Sequence, residues 1–364
     1  MKLLLVDLET EWRGGQNQFL LLLQGLRERG HTPELLAVQG SALAQRASEA
    51  GLLVHVASRH AARFGTVQTT RRLLAERLFD LVHVNESHAL TAAWLARTHR
   101  RVPLIVSRRV GYPLSRSWLA QKRFHAAAAI IANSQWVAEQ AAAAGAPREK
   151  LTVVYEGVNV PALPSAEVRC EARRHWNISP DEPLLGCAGV LSRDKGHEYV
   201  LRALAQIHNE FPRARLLLAG DGPERPRLER LAKELGVGDC VIFAGFVRQI
   251  ELFYQSLDIF VFPSLFEGLG TSLLAAMSYA VAGITFFGCA LGEIVENGKS
   301  GIQVQPGDAP EIAQAISQLL RDPSLAAQMG AAGRARIQQI FSADRMVDGT
   351  LRVYHDALDA ASRP

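Results

Sequence analysis

Short apolar runs alternate with helix-length amphipathic stretches from the first residues of this chain onward, and that alternation leaves few folds open. Leu3 to Asp7 reads as a buried strand; Phe19, Leu22, Leu23 and Leu26 then repeat at helical spacing, and Gly30 ends the helix. Comparable apolar runs follow at Leu35–Val38, Leu52–Val56, Leu81–Val84, Leu104–Val106, Ile130–Ala132 and Leu151–Val154. Helix-sized stretches separate most of them, which predicts a parallel sheet covered on both faces. Pro161, Pro164 and Pro183 interrupt the series. A second one follows at Leu184–Val190, Arg215–Gly220, Cys240–Gly245, Asp258–Pro263 and Val281–Phe287. The expected fold is α/β, with two tandem Rossmann-like, doubly wound parallel-sheet domains facing a cleft. Its expected boundaries are 1–160 for the first domain, 161–182 for a linker, 183–341 for the second domain and 342–364 for a C-terminal helix.

Composition removes several function classes. Among 364 residues no run approaches the roughly 18 to 20 apolar residues that span a bilayer. The opening MKLLLVDLETEW meets acid too early for a secretory leader, so a cytoplasmic location is expected. Cys170, Cys187, Cys240 and Cys289 are far apart and form no CxxC pair, which argues against a disulfide framework and a thiolate zinc site. The net charge of +4 divides unevenly: residues 1–160 hold 20 Lys+Arg against 12 Asp+Glu, and residues 161–364 hold 20 against 24. No acid occurs between Glu86 and Glu139, where Arg97, Arg100, Arg101, Arg108, Arg109, Arg116, Lys122 and Arg123 accumulate. Such a stretch suits an anionic membrane surface or a phosphorylated ligand. Nucleic acid is not expected, because no recognised module and no aromatic-basic interleaving accompany it. A nicotinamide dehydrogenase is not expected either, since the loop Glu9 to Gln18 offers adjacent Gly14 and Gly15 but no GxGxxG.

Open parallel sheets bind ligands beyond the C-terminal ends of their strands, which confines the search to the loops there. The most informative loop is Pro263 to Ser272, where glycines and small hydroxyl residues lie between a buried strand and a helix. Gly268, Leu269, Gly270 and Thr271 place backbone N–H groups at a helix start, where the dipole favours an anion. Glu267, a carboxylate just before that position, is suited to accepting hydrogen bonds from hydroxyls of the same ligand. His83 and Glu86 end a buried strand, and Glu86 is a candidate for orienting an acceptor hydroxyl, whereas His83 fits a core role equally well.

The segment PSLFEGLGTSLLAAMSYAVAGI resembles the signature of retaining glycosyltransferases of family 4, the group 1 transferases of GT-B architecture. The Gly14-Gly15 loop, FDLVHVNESHAL, the IANS run ending at Ser134, VVYEGVN, AGVLSRDKG and LLLAGDGPER extend the resemblance over nearly the whole chain. The resemblance implies that Glu267 holds sugar hydroxyls of a nucleotide-sugar donor and that Lys195 meets its diphosphate, with Arg193 as a second cation. Gly14 and Gly15 would form the loop where donor phosphate and acceptor meet. Gly220 and Gly222 would shape the donor side, Phe246 and Val247 would border the base, and the C-terminal helix would cross back onto the first domain. Arg108 and Arg109 stand where many relatives have a His that contacts the sugar, and they suit an anionic acceptor. No D-x-D triplet occurs, so neither a metal nor a separate cofactor is expected, and cations with a helix terminus would stabilise the departing diphosphate.

Three departures accompany these matches. Ala275 replaces the carboxylate that in the family holds the ribose, Val190 replaces the usual Arg of the loop before Lys195, and Cys289-Ala290 replaces a glycine pair. The resulting expectation is a metal-independent, retaining transferase moving a sugar to an acceptor hydroxyl in envelope polysaccharide or lipopolysaccharide synthesis. Its expected partners are a nucleotide-sugar, a saccharide, glycolipid or phosphorylated acceptor, and the inner face of an anionic membrane. The departures keep open a catalytically degenerate nucleotide-sugar-binding protein of the same fold.

Overall fold

The computed structural model describes residues 1–58, 62–76, 78–112 and 117–362, with 62–64 as backbone alone. Arg116 and its expected place in the basic stretch lie outside these residues. The chain forms two compact units: unit 1 comprises Met1–Gly157 with Ala343–Pro364, and unit 2 comprises Val158–Ser342.

Unit 1 is built on seven strands: β1 (Lys2–Asp7), β2 (Thr32–Val38), β3 (Leu53–Ala57), β4 (Leu81–Val84), β5 (Leu104–Arg108), β6 (Ala129–Ala132) and β7 (Leu151–Val153). They lie in the order β3-β2-β1-β4-β5-β6-β7, each pair parallel. Alternate side chains of a strand face opposite ways, so a central strand feeds two cores. Leu3 and Leu5 pack on one side with Phe19, Leu22 and Leu26 of the helix Gly14–Glu28. Leu4 and Val6 pack on the other, with Leu90 of the helix Ser87–Leu95 and Phe124 of the helix Trp118–His125.

The last helix, Ala343–Ser362, completes the first of these cores. Gly25 permits its close approach, because a Cβ there would lie 2.5 Å from Cγ2 of Val347. Arg29 binds Asp344 at 2.9 Å and Asp348 at 2.8 Å, and the fully buried Tyr354 reaches His83 Nδ1 through its hydroxyl at 2.6 Å. His83 Nε2 meets Ser107 Oγ at 2.8 Å, so this histidine is a satisfied core residue joining β4, β5 and the last helix.

Unit 2 contains β8 (Leu184–Ala188), β9 (Arg215–Ala219), β10 (Val241–Gly245), β11 (Ile259–Phe262), β12 (Ala282–Phe286) and β13 (Gly301–Val304). Their order is β10-β9-β8-β11-β12-β13, again all parallel. The sequence reading has no counterpart for β13, because Gly301 and Gln303 break its apolar run; Ile302 and Gln303 are half-exposed, whereas Gly301 and Val304 are buried.

The span 161–182, expected as a linker, belongs to unit 2 and carries the helix Ala166–His175, capped by Ser165. Arg173 of this helix is buried, donates to Asp258 at 2.5 Å and also meets the carbonyls of Ser256 and Glu182. The prolines therefore mark the entry to a helix rather than a free connection. The chain passes between the units at Gly157/Val158 and Ser342/Ala343, and Val158 pairs with Ser342, so the two crossings run side by side.

The basic stretch does not form a single patch. Arg97, Arg100 and Arg101 precede β5, whereas Arg108 and Arg109 sit at or just after its C-terminal end. Five residues of extended chain, roughly 15 Å, separate the two groups. The last helix also brings acids back to unit 1, which thus holds 23 Lys+Arg against 16 Asp+Glu, with 17 against 20 in unit 2.

Candidate active site

In each sheet the strand order reverses once near the centre, between β1 and β4 in unit 1 and between β8 and β11 in unit 2. Loops leaving the strands on either side of such a reversal diverge and leave a crevice. Gly14, Gly15 and Glu86 follow the strands at the first of these points and Arg193, Lys195 and Glu267 to Thr271 those at the second, whereas Arg108 and Arg109 lie at the end of β5, Gly220 and Gly222 after β9, and Phe246 and Val247 after β10.

In unit 2 the loop after β8 ends in a short turn, Arg193–Lys195, and the loop after β11 carries Glu267 into the helix Thr271–Ser278. Backbone contacts lock the two loops together. Leu265 N–H donates to the Asp194 carbonyl at 2.8 Å, and Gly196, at φ +67°, lies so close to Pro263 that a Cβ would sit 2.1 Å from its carbonyl oxygen. This apposition brings Lys195 Nζ to 2.7 Å from Glu267 Oε1, a largely buried ion pair across the crevice. Burial pulls the lysine down, but Glu267 and Asp194 outweigh it and hold the ammonium above its ordinary pKa. Lys195 is thus a permanent cation. A ligand phosphate can share it while Glu267 turns to neutral hydroxyls.

The remaining unit 2 candidates divide by role. Gly220 and Gly222 are architectural: added Cβ atoms would lie 1.9 Å from the Gly189 carbonyl oxygen and 2.5 Å from that of Leu191, so these glycines fit the β9 loop against the β8 loop. Gly270 begins the helix at φ +107° with no side-chain cap, and its carbonyl accepts from Leu273 N–H at 3.0 Å, while Leu269 is buried and Gly268 precedes it. Phe246 is 69% exposed after β10, with Val247 half-buried beside it. Arg193 is not gathered into the pair: its side chain is 84% exposed and meets Glu224 at 3.4 Å.

Val190 leaves an apolar, exposed side chain where a cation was expected, and Ala275 is half-exposed on the helix. Cys289 adopts φ +39°, a left-handed conformation that costs a non-glycine residue roughly 1 kcal/mol, and Ala290 is fully buried. Sequence reasoning missed His197, the first residue of the helix His197–Ile207 beside Lys195. Burial and then the Lys195 charge push it down to about 4, and neither ring nitrogen has a partner among the described residues.

In unit 1, Gly14 and Gly15 open the helix Gly14–Glu28, whose start again lacks a side-chain cap. Beside them runs a buried polar chain. Asp7, at the end of β1, accepts from Gln16 Nε2 at 3.0 Å and Asn85 Nδ2 at 2.6 Å. Asn85 Oδ1 accepts from Arg109 Nε at 2.9 Å, and Arg109 Nη1 binds Glu156 Oε1 at 2.9 Å. Burial raises the Asp7 pKa against the lowering effect of its hydrogen bonds. Arg109, expected to face an acceptor, is therefore engaged in bracing β1, β4, β5 and the segment after β7. Asn85 and Glu156 lie inside the quoted motifs, but nothing in their spacing marks them as partners.

Glu86 caps the helix Ser87–Leu95, accepting from Ala89 N–H at 2.6 Å and from His88 N–H. Burial lifts its pKa to about 7 against those bonds. Glu9, Glu86 and His88 bring potential metal-ligating atoms within 4.8 Å of one another, yet both Glu86 oxygens are already committed to the backbone. Arg108 donates to the Tyr112 carbonyl.

Comparisons with known proteins show the family and the fold. Residues 12–161 match the family described as Glycosyltransferase Family 4, and residues 168–336 match Glycosyl transferases group 1. An uncharacterised glycosyltransferase of Methanocaldococcus jannaschii is 31% identical over 225 residues, covering 60% of this chain and 57% of its own length. The lipopolysaccharide core biosynthesis glycosyltransferase LpsE of Rhizobium meliloti is 27% identical over 72% of this chain and 74% of its own. Anabaena HepE, in a crystal structure with UDP and glucose, superposes with a TM-score of 0.84 at 22% identity over the full length of both chains, a likeness of fold. The chain belongs to the group 1 glycosyltransferases of family 4, with GT-B fold.

Proposed function

We propose that this protein transfers a sugar from a nucleotide-sugar to an acceptor hydroxyl with retention of configuration, unit 2 holding the donor and unit 1 the acceptor. The observation that carries the reading is the Lys195–Glu267 pair at the unit 2 reversal point. In the reaction, the bond between the anomeric carbon and the phosphate oxygen breaks and one to the acceptor oxygen forms. The acceptor proton passes to the departing phosphate oxygen. Negative charge grows on the leaving diphosphate, so Lys195 and the uncapped helix start at Gly270 stabilise the transition state more than the ground state. Glu267 orients the sugar through its hydroxyls. No protein base and no metal is assigned a step.

A relative acting in lipopolysaccharide core synthesis and a fold neighbour holding UDP support an envelope saccharide acceptor and a uridine-type donor. A cytoplasmic site of action at the inner membrane face fits the exposed Tyr112, Trp118 and Leu119, with Lys122 Nζ 4.0 Å from the Trp118 ring centroid. No helix among the described residues is long and apolar enough to cross a membrane.

The test is a donor panel assayed for transfer and slow hydrolysis, with the anomer of the product read by NMR. Wild-type protein is expected to consume one donor class with retention, and Glu267→Gln to lose about 100-fold in turnover. An inverted product would remove the retaining mechanism. Tight nucleotide binding without any turnover would favour the degenerate binding protein that Ala275, Val190 and Cys289 suggest.

A further inference from the structure

The helix Gly14–Glu28 packs on its core through Phe19, Leu22, Leu23 and Leu26, but its first turns also bury two amides, Gln16 and the fully enclosed Gln18. Glutamine is seldom buried so completely, because both ends of its amide then need partners inside the protein. One residue meets both ends of Gln18. Its Nε2 donates to the Gly157 carbonyl at 2.9 Å, and its Oε1 accepts from Gly157 N–H at 3.0 Å. Gly157 is the last residue of unit 1 before the chain enters unit 2. Its neighbour Glu156 ends the polar chain that runs through Arg109 and Asn85 to Asp7 and Gln16. Gln18 therefore closes that chain into a ring that begins and ends on this helix. The ring passes the C-terminal ends of β1, β4 and β5 and the segment after β7.

Gly15 lies against this ring. Its carbonyl accepts from Asn85 Nδ2 at 3.4 Å, and a Cβ on it would lie 3.6 Å from Arg109 Cδ. At other helix starts one capping side chain does the holding, as Ser41, Ser134 and Asp308 do. Gly14 and Gly15 have no such cap before them, so the ring fixes them from its several loops. Asp7, Asn85 and Glu156 are buried along with the two glutamines, and a satisfied buried network holds a single geometry. We propose that Gln18 is a positioning residue for transfer: by closing the ring, it keeps Gly14 and Gly15 at the place on unit 1 where they meet the reacting groups. The inference rests on the transferase reading for the role of the two glycines, whereas the hold of the ring on them is independent of it.

The experiment replaces Gln18 by methionine in the full chain, which keeps the length of the side chain and removes both bonds to Gly157. The comparison is Gly25→Ala, which strains the same helix outside the ring, since its Cβ would lie 2.5 Å from Cγ2 of Val347. Hydrogen exchange is read at Gly157 and at Asn17, whose N–H donates to the Arg13 carbonyl beside the two glycines. Gln18→Met is expected to exchange at least about tenfold faster than Gly25→Ala at both amides. Its kcat, measured well below both melting temperatures, is expected to fall about tenfold with the donor KM within about twofold, because misplaced groups weaken the transition state more than donor binding. Faster exchange at Gly157 with Asn17 protected as in Gly25→Ala overturns the coupling, and equal kcat in the two variants overturns the positioning role. Should Gln18→Met not fold, Gln16→Met opens the ring at its other end and carries the same expectations. Wild-type protein that turns over no donor counts against the transferase reading alone, because exchange at Asn17 still decides whether the ring holds the glycines.

Discussion

Gly196→Ala is expected to lower the melting temperature of unit 2 by roughly 5–15 °C and to cut donor turnover by at least about 100-fold. Two costs combine. Gly196 sits at φ +67°, where a Cβ costs about 1 kcal/mol, and the new methyl carbon would lie 2.1 Å from the Pro263 carbonyl oxygen. A backbone atom cannot rotate aside as a flexible side chain can, so the overlap adds about 1–3 kcal/mol and drives the two loops apart. Those loops carry Lys195 and Glu267, whose 2.7 Å contact depends on their apposition. Gly236→Ala is the control: at φ +74° with nothing within 4 Å, it should show the conformational cost without the clash. Calorimetry and donor turnover on both variants check this; equal losses in the two would show that backbone strain, not loop apposition, sets the effect.

Acidification is expected to destabilise unit 2 before unit 1. His197 titrates near 6.5 when unfolded and at about 4 when folded, burial being the main cause. Between those values the unfolded state binds the additional proton, so stability is present above pH 6.5 and is lost as the pH falls towards 4. From pH 6.5 to 4.5 the loss is about 2.5 kcal/mol, or roughly 5–10 °C. Asp194 acts in the same sense at lower pH, because Ser192 and Lys195 hold its pKa down against the effect of burial.

Unit 1 behaves differently. His83, pushed to about 3 by burial and then by Arg109, also loses stability in acid. Glu86, raised to about 7, and Asp7, also raised, bind protons more readily when folded and oppose it. His197→Leu should remove most of the loss of unit 2 stability between pH 6.5 and 4.5 without lowering its melting temperature at pH 7, since both ring nitrogens are buried without partners among the described residues. Calorimetric scans from pH 7.5 to 4.5, with hydrogen exchange assigning each transition, provide the check. An unchanged pH slope in His197→Leu would exclude this origin.

Much of the architecture was legible because buried parallel strands leave a plain signature. Leu3 to Val6 is apolar at every position, as a strand covered on both faces must be. The pattern failed at β13, whose Gly301 is buried so close to Gly283 that a Cβ would lie 2.5 Å from its carbonyl oxygen and whose Gln303 is half-exposed, and at 161–182, where prolines before a helix look like a linker. In the site, Lys195 and Glu267 were visible because their loops carry dense local motifs. Their direct pairing was not, because 72 residues separate them in sequence. Arg108 and Arg109 look equivalent as neighbours in sequence. Only the long-range partners Asn85 and Glu156 distinguish a neutralised brace from an open cation. Gly220 and Gly222 matched the motif, but the motif does not reveal that the close approach they permit is to another loop.

The most direct test of the central claim is calorimetric titration of the wild-type chain and Lys195→Ala with a panel of nucleoside diphosphates. The account predicts saturable binding of one diphosphate by wild-type protein and a roughly 10- to 100-fold weaker dissociation constant in the variant, as loss of one charged hydrogen bond to phosphate requires. Equal affinity in the two proteins, or no binding of any diphosphate by the wild type, would contradict it.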